Sequence, residues 1–305
     1  MLNVSLKDNS LNDIYSDILT KLNSASNSDA TIQLHKKFHG IMKNMDSLNF
    51  ISEVIEENLS NTEFLNKEWT CFDIPFLQIY NNGLIDLKYH LFFPNKLFKT
   101  SNASYMIHSH KSSVLSSYVF YGEGYHTIHF EKDIQYKTNN YVEMRITKDF
   151  FHSKGNFNIV DSYEPHLVSN VSEPTFTIVL WTLEDEDSCI FKDDNSDSRS
   201  FYLEKNRFKA ISDSDFLHKI SDKVAHYNYK DYHIQAICYF IQQVGYTNIA
   251  FLKRIQKEEN LNDSWSRWIS KLIAEELIDH PFFNEEFNFI NESPELSELR
   301  NIASF

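Results

Sequence analysis

Three textures of hydrophobic and polar positions succeed one another along the 305 residues. From Ser10 to about Leu65 apolar residues recur at intervals of three and four: Leu11, Ile14, Ile18 and Leu22, then Leu34, Phe38 and Ile41, then Phe50, Val54, Ile55 and Leu59. A stripe of that period lies along one side of an α-helix, so the spacing predicts three amphipathic helices. The polar stretch NSASNSDA, residues 23–30, breaks the first from the second and offers Ser28 or Asp29 as a cap.

From about Trp69 the pattern shortens. FLQIYNNGLIDLKYHLFF, SSYVFYGEGYHTIHFE, YVEMRITKDFFHSKGNFNIV and TFTIVLWTLE are aromatic, β-branched runs separated by Asn, Gly, Pro and Asp, which predicts many short strands. Asn82-Gly83 marks a hairpin turn. Strands at this close spacing point to a sandwich or barrel rather than to βαβ units. After the acidic loop EDEDSCIFKDDNSDSRS the helical period returns in SDSDFLHKISDKVAHY, YHIQAICYFIQQV, NIAFLKRIQKEE and DSWSRWISKLIAEELIDH. Asp263 or Ser264 is the expected cap of the last helix and Pro281 its stop, while Trp265 and Trp268 share its apolar side with Ile269 and Leu272 and are read as packing residues. The chain is thus expected to be α+β, with a helical segment at 1–65, a β-barrel at 66–200 and a second helical segment at 201–305.

Composition narrows the function classes. With 43 acidic against 29 basic side chains the formal charge is −14, which disfavours nucleic acid because phosphate binding needs a basic surface. Three cysteines, Cys71, Cys189 and Cys238, with no CxxC pair, make neither a disulfide framework nor a thiolate zinc site, and fit a reducing cytosol. The N-terminus lacks a basic stretch followed by an apolar run, and nowhere do 18 apolar residues succeed one another, so a cytoplasmic protein with no membrane partner is expected. The helical segments could pair two subunits.

The chemistry concentrates in IHSH. Side chains two apart on a strand share a face, so His108 and His110 can bind one metal ion. His166 in SYEPHLVSNVSEPTFTIVLW follows a proline-marked turn and enters a further strand. These residues, with the YGEG turn, resemble the cupin (double-stranded β-helix) fold over residues 75–185, and most closely its three-histidine branch, the non-haem iron thiol dioxygenases. The resemblance implies His108, His110 and His166 as the ligands of Fe(II), with dioxygen as co-substrate and a small polar, amino-acid-like molecule as substrate. Three neutral imidazoles on one face of an octahedral ion leave the opposite face open and its charge uncompensated, which suits an anionic chelating substrate. Zinc with bound water, or manganese, is the competing occupant.

Two departures qualify the likeness. HKSSVLSS has no acid after the second histidine, against a three-histidine, one-glutamate site. The strand after the third ligand offers Thr177, Val179 and Trp181 where thiol dioxygenases carry serine, histidine and tyrosine, so thiol oxidation itself is not implied. Tyr118 and Tyr121 are the candidate catalytic phenols, and Lys88 and Arg145 the nearest candidates to hold a substrate carboxylate. His126 and His129, three apart, face opposite sides of their strand, with His126 the nearer candidate for the pocket; His90 is expected to be a core or surface histidine. The readings from other classes are a cupin that binds a ligand and signals to a partner without catalysis, and a zinc- or manganese-dependent isomerase or hydrolase.

Overall fold

The computed structural model describes residues 28–69, 73–81, 85–94, 107–110, 113–169, 171–182, 200–204, 207–211, 229–258, 261–281 and 303. The expected helix over Leu11–Leu22, the Asn82-Gly83 turn, Cys71, Cys189 and the helical pattern at 212–227 lie outside these residues.

Helices α1 (Ser28–Met42) and α2 (Leu48–Ser60) form where the three-and-four pattern places them, and the stripe Leu34, Phe38, Ile51, Val54, Ile55 and Leu59 is the side they bury. A short α3 (Thr62–Leu65) follows, its Asn61 side chain accepting from the Glu63 and Phe64 amides. Strands come next: β1 (Phe76–Asn81), β2 (Ile85–Phe92), β3 (Ile107–His108), β4 (Val114–Tyr121), β5 (Gly124–Phe130), β6 (Gln135–Tyr136), β7 (Tyr141–Glu143), β8 (Ile146–Ser153), β9 (Phe157–Val160), β10 (His166–Ser169), β11 (Thr175–Thr182), β12 (Ser200–Glu204) and β13 (Arg207–Ile211). The chain closes with α4 (Tyr229–Gln243), α5 (Ile249–Ile255) and α6 (Asp263–Ile273).

Among the described residues the strands make two antiparallel sheets, in the orders β1-β2-β11-β4-β9 and β6-β7-β13-β12-β3-β10-β5-β8. The connections β4 to β5, β8 to β9 and β10 to β11 each carry the chain from one sheet to the other, and β4 and β5 are flanked by the corresponding partners β9/β11 and β8/β10. That alternation winds the chain as a double-stranded β-helix, so the protein is α+β with a cupin barrel flanked by helices. The YGEG turn makes one crossing possible. Gly122 (φ +82°) and Gly124 (φ +115°) occupy left-handed conformations, and a Cβ on them would lie 2.3 Å from the Pro174 carbonyl oxygen and 2.1 Å from that of His152.

The largest core lies outside the barrel, between the helices and the five-stranded sheet. Leu77, Leu87, Tyr89 and Ile178 from the sheet meet Val54, Ile237 and Phe240 from the helices, all fully buried. A second apolar layer, with Ile128, Phe130, Leu167 and Phe201, covers the outer face of the eight-stranded sheet. On the open edge of the five-stranded sheet, Asn58 of α2 donates to the Gln78 carbonyl (2.7 Å) and accepts the Gln78 amide (2.9 Å).

Three local expectations are corrected. Strand pairing continues to Ile211, past the expected barrel boundary at 200, because Phe201 and Phe208 bury against the outer layer. The cap of α6 is Asn262, whose side chain accepts the Trp265 amide, rather than Asp263 or Ser264. That helix ends at Ile273, eight residues before Pro281, where Glu275 turns left-handed (φ 55°). Trp265 is fully buried and donates to the Leu65 carbonyl, while the Trp268 indole donates to Asp231, so both are packing residues.

Candidate metal centre

Strand pairing builds the site. His166, the first residue of β10, stands directly opposite His108 of β3 on one side and His129 of β5 on the other. Residues opposite one another in an antiparallel pair share a face, so these three histidines look into the barrel while their neighbours Ile107, Ile128 and Leu167 enter the outer apolar layer. His110, two residues beyond His108, joins them. The rings of His108 and His166 lie 4.4 Å apart, those of His110 and His166 4.8 Å, and those of His108 and His110 5.0 Å. One nitrogen from each of the three lies within 4.8 Å of the others.

The turn before His166 is held by a buried carboxylate. Glu164 accepts the Asp161 amide (2.7 Å) and Lys148 Nζ (3.2 Å), and its other contact is His129 Nδ1 at 3.1 Å. Burial works to raise the Glu164 pKa, but His129, the amide and Lys148 outweigh it and bring it down to about 2. On its far side His129 Nε2 accepts from Asn158 of β9 (3.2 Å), which ties the two sheets together beside the cluster. Burial, and then the neighbouring His108, His110 and His129, hold His166 well below the usual imidazole range. The imidazole is therefore neutral near pH 7, the form that binds a metal.

The cluster fits a transition-metal ion. A nitrogen–metal bond of about 2.0–2.1 Å sets adjacent ligand atoms about 3 Å apart, so the rings need only turn inward by an ångström or two. His166 Nδ1 is buried and makes no well-formed hydrogen bond among the described residues. Among the described residues the nearby acids are already engaged: Glu164 as above, and Asp86 by Lys88 (2.6 Å) and Gln78 (2.8 Å). The donor set is three imidazoles. Trp181 of β11 packs 4.3 Å from the His110 ring, its indole nitrogen buried without a partner.

The other candidate residues are placed as follows. Tyr118 and Tyr121 do not reach the cluster: both belong to the helix-facing layer, Tyr118 against His39 of α1 and Tyr121 stacked on Phe176 with its hydroxyl on Gln243 of α4. The inward residues of β4 are Leu115, Ser117 and Val119. His129, not His126, enters the barrel; His126 pairs with Asp149 on the other face. His90 faces inward, and burial followed by the charge of Lys88 lowers its pKa to about 3. Lys88 is committed to Asp86 and to the Phe76 ring, and Arg145 is exposed between β7 and β8. His129, Glu164 and Trp181 are the site neighbours that strand parity alone did not select. Cys238 is buried in the helical layer, where burial raises its thiol pKa. Among the described residues no helix is long and apolar enough to cross a membrane.

No family model matches the chain, and no curated protein does. Solved structures resemble part of it. TT1209 from Thermus thermophilus matches at a TM-score of 0.26 and 13% identity, covering 38% of this chain and 89% of that one. KdgF from Halomonas sp. matches at 0.26 and 11% identity, over 40% and 90%. A cupin protein from Bacteroides fragilis matches at 0.25 and 9% identity, over 39% and 88%.

Proposed function

We propose that this chain is a mononuclear non-haem iron(II) oxygenase, in which His108, His110 and His166 hold the metal and a small polar, amino-acid-like molecule is oxidised by dioxygen inside the barrel. The observation that carries the reading is the convergence of three imidazoles, His166 kept neutral by its surroundings, in a lining whose carboxylates are already paired. Iron(II) in such a set would keep positions open for a chelating, anionic substrate and for dioxygen on adjacent sites.

The protein's own residues supply the rest. Glu164 and His129 fix the turn that presents His166, which limits the ligand's freedom to swing away. Leu115, Val160 and Val179 line the barrel beside the cluster and exclude water from it. Trp181 covers one side of His110.

The test is metal content of the protein as purified, followed by oxygen uptake of iron-loaded protein with candidate amino acids and thiols, beside His108→Ala. Stoichiometric iron and substrate-dependent uptake lost in the variant are expected. Zinc alone, with no uptake on iron loading, would favour the hydrolase reading, and uptake unchanged in His108→Ala would refute the site.

A further inference from the structure

Inside the barrel, one strand repeat away from the histidines, two threonine hydroxyls are buried without partners. Thr127 of β5 lies two residues before His129, on the same face, opposite Val168. Thr177 of β11 lies two residues before Val179, opposite His90 and Val119. Val119 and Val168 belong to one interior apolar cluster with Phe92 and Tyr125, so both threonines border the same part of the cavity from opposite sheets. Each is fully buried, and among the described residues neither Oγ1 has a hydrogen-bond partner. A hydroxyl stripped of water with nothing in exchange is destabilising by about 1–3 kcal/mol, and two at one level of a barrel are not explained by packing.

The other polar groups at this depth carry no charge. His90 is held neutral by burial and by Lys88. His152, opposite Tyr125, has a pKa of about 4, lowered chiefly by burial, and its Nε2 donates to the Asn156 carbonyl (3.0 Å). Its Nδ1 is therefore a bare acceptor, buried and unpartnered. The inward or neighbouring cations Lys88 and Lys148 are both paired with carboxylates.

We propose that Thr127 and Thr177 grip the far end of the substrate, and that this end is an uncharged hydrogen-bonding group, a carboxamide or hydroxyl. The inference rests on the metal reading above, because the histidines hold the near, anionic end. The ligand is then elongated: two residues of strand span about 7 Å, roughly the reach of a four- or five-carbon chain with a heteroatom at each end, its aliphatic middle against the valines. Among the described residues a charged far end finds no unpaired counter-ion here. An alkyl end leaves the two hydroxyls bare.

Cobalt(II)-loaded protein reports binding at the metal through its visible spectrum, and three four-carbon probes separate the possibilities: succinamate, succinate and butyrate. Succinamate is expected to bind about tenfold or more tightly than either, the equivalent of one retained hydrogen bond between neutral partners. Thr127→Val and Thr177→Val should each reduce the preference over butyrate while leaving butyrate binding unchanged. Both variants should also melt higher than the parent without ligand, since each removes an unsatisfied hydroxyl; a hydroxyl serving the fold would give the opposite sign. Equal binding of succinamate and butyrate, tighter binding of succinate, or lower melting of both variants would overturn the subsite. Failure of cobalt(II) to bind at all would overturn the metal centre first, and this inference with it.

Discussion

The two faces of the five-stranded sheet use the same kinds of residue to opposite ends. Toward the helices, His35 of α1 is wholly buried, and both its ring nitrogens are engaged, by Ser116 Oγ at 2.7 Å and Thr182 Oγ1 at 3.1 Å. The Tyr89 hydroxyl on that face donates to the Met45 carbonyl at 2.6 Å. Toward the barrel, Thr177 and Trp181 keep buried polar atoms without partners. The eight-stranded sheet adds Thr127 and His166 to the same interior. Buried polar groups that the chain satisfies belong to the fold, whereas bare ones inside the barrel are placed to meet a ligand; His39 Nε2 of α1 is a bare exception on the helix side.

Substitutions on the two faces should therefore separate stability from binding. The largest effect is expected from His108→Ala or His166→Ala, which should abolish stoichiometric metal binding while the apoprotein melts close to the parent; measured metal content and a thermal melt check both halves. Phe240→Ala, at the centre of the helix-facing core, should cost about 3–5 kcal/mol in urea denaturation, with metal content of the folded fraction unchanged. Loss of metal without loss of stability in that variant would break the division between the faces.

Acid should act on the helix-facing side through His35. Burial lowers its pKa to about 3, against about 6.5 in the unfolded chain. Below pH 6.5 the unfolded state takes up a proton that the folded state refuses until near pH 3, so stability decreases across that window and is unaffected by this group above it. His35→Gln should make the slope of stability against pH shallower by about one proton, read from urea midpoints between pH 7 and pH 4. The smallest effect should come from Asn262→Ala, which removes the α6 cap at about 1 kcal/mol and leaves metal binding untouched.

The clustering of His108, His110 and His166 was legible because its signals were local: a period of two places His108 beside His110, and a turn precedes His166. The sequence carried less about which face each strand turns inward. On β4 nearly every residue is buried, since helices cover one side and the barrel the other, so alternation could be read without an anchor to tell inside from outside. Tyr118 thus reads as a candidate phenol and lies against α1. A register shift between Phe176 and Thr177 then brings Tyr121 onto Phe176. His129 has the same cause in reverse. Parity says only that one of His126 and His129 is inward, and the choice is made by the pairing of His129 with His166, a contact between strands distant in sequence. The strands at 200–211 follow a long acidic stretch of sequence, and their short apolar runs acquire meaning only beside β3 and β7.

The carboxamide of Asn58 offers one acceptor and one donor to Gln78 in the manner of a peptide group on a neighbouring strand. It covers the edge of β1, which among the described residues has a strand partner on one side only. A single side chain from a helix thereby takes up the donor and acceptor through which a further strand would join at Gln78, a role that neither the barrel's interior nor its histidine cluster fills.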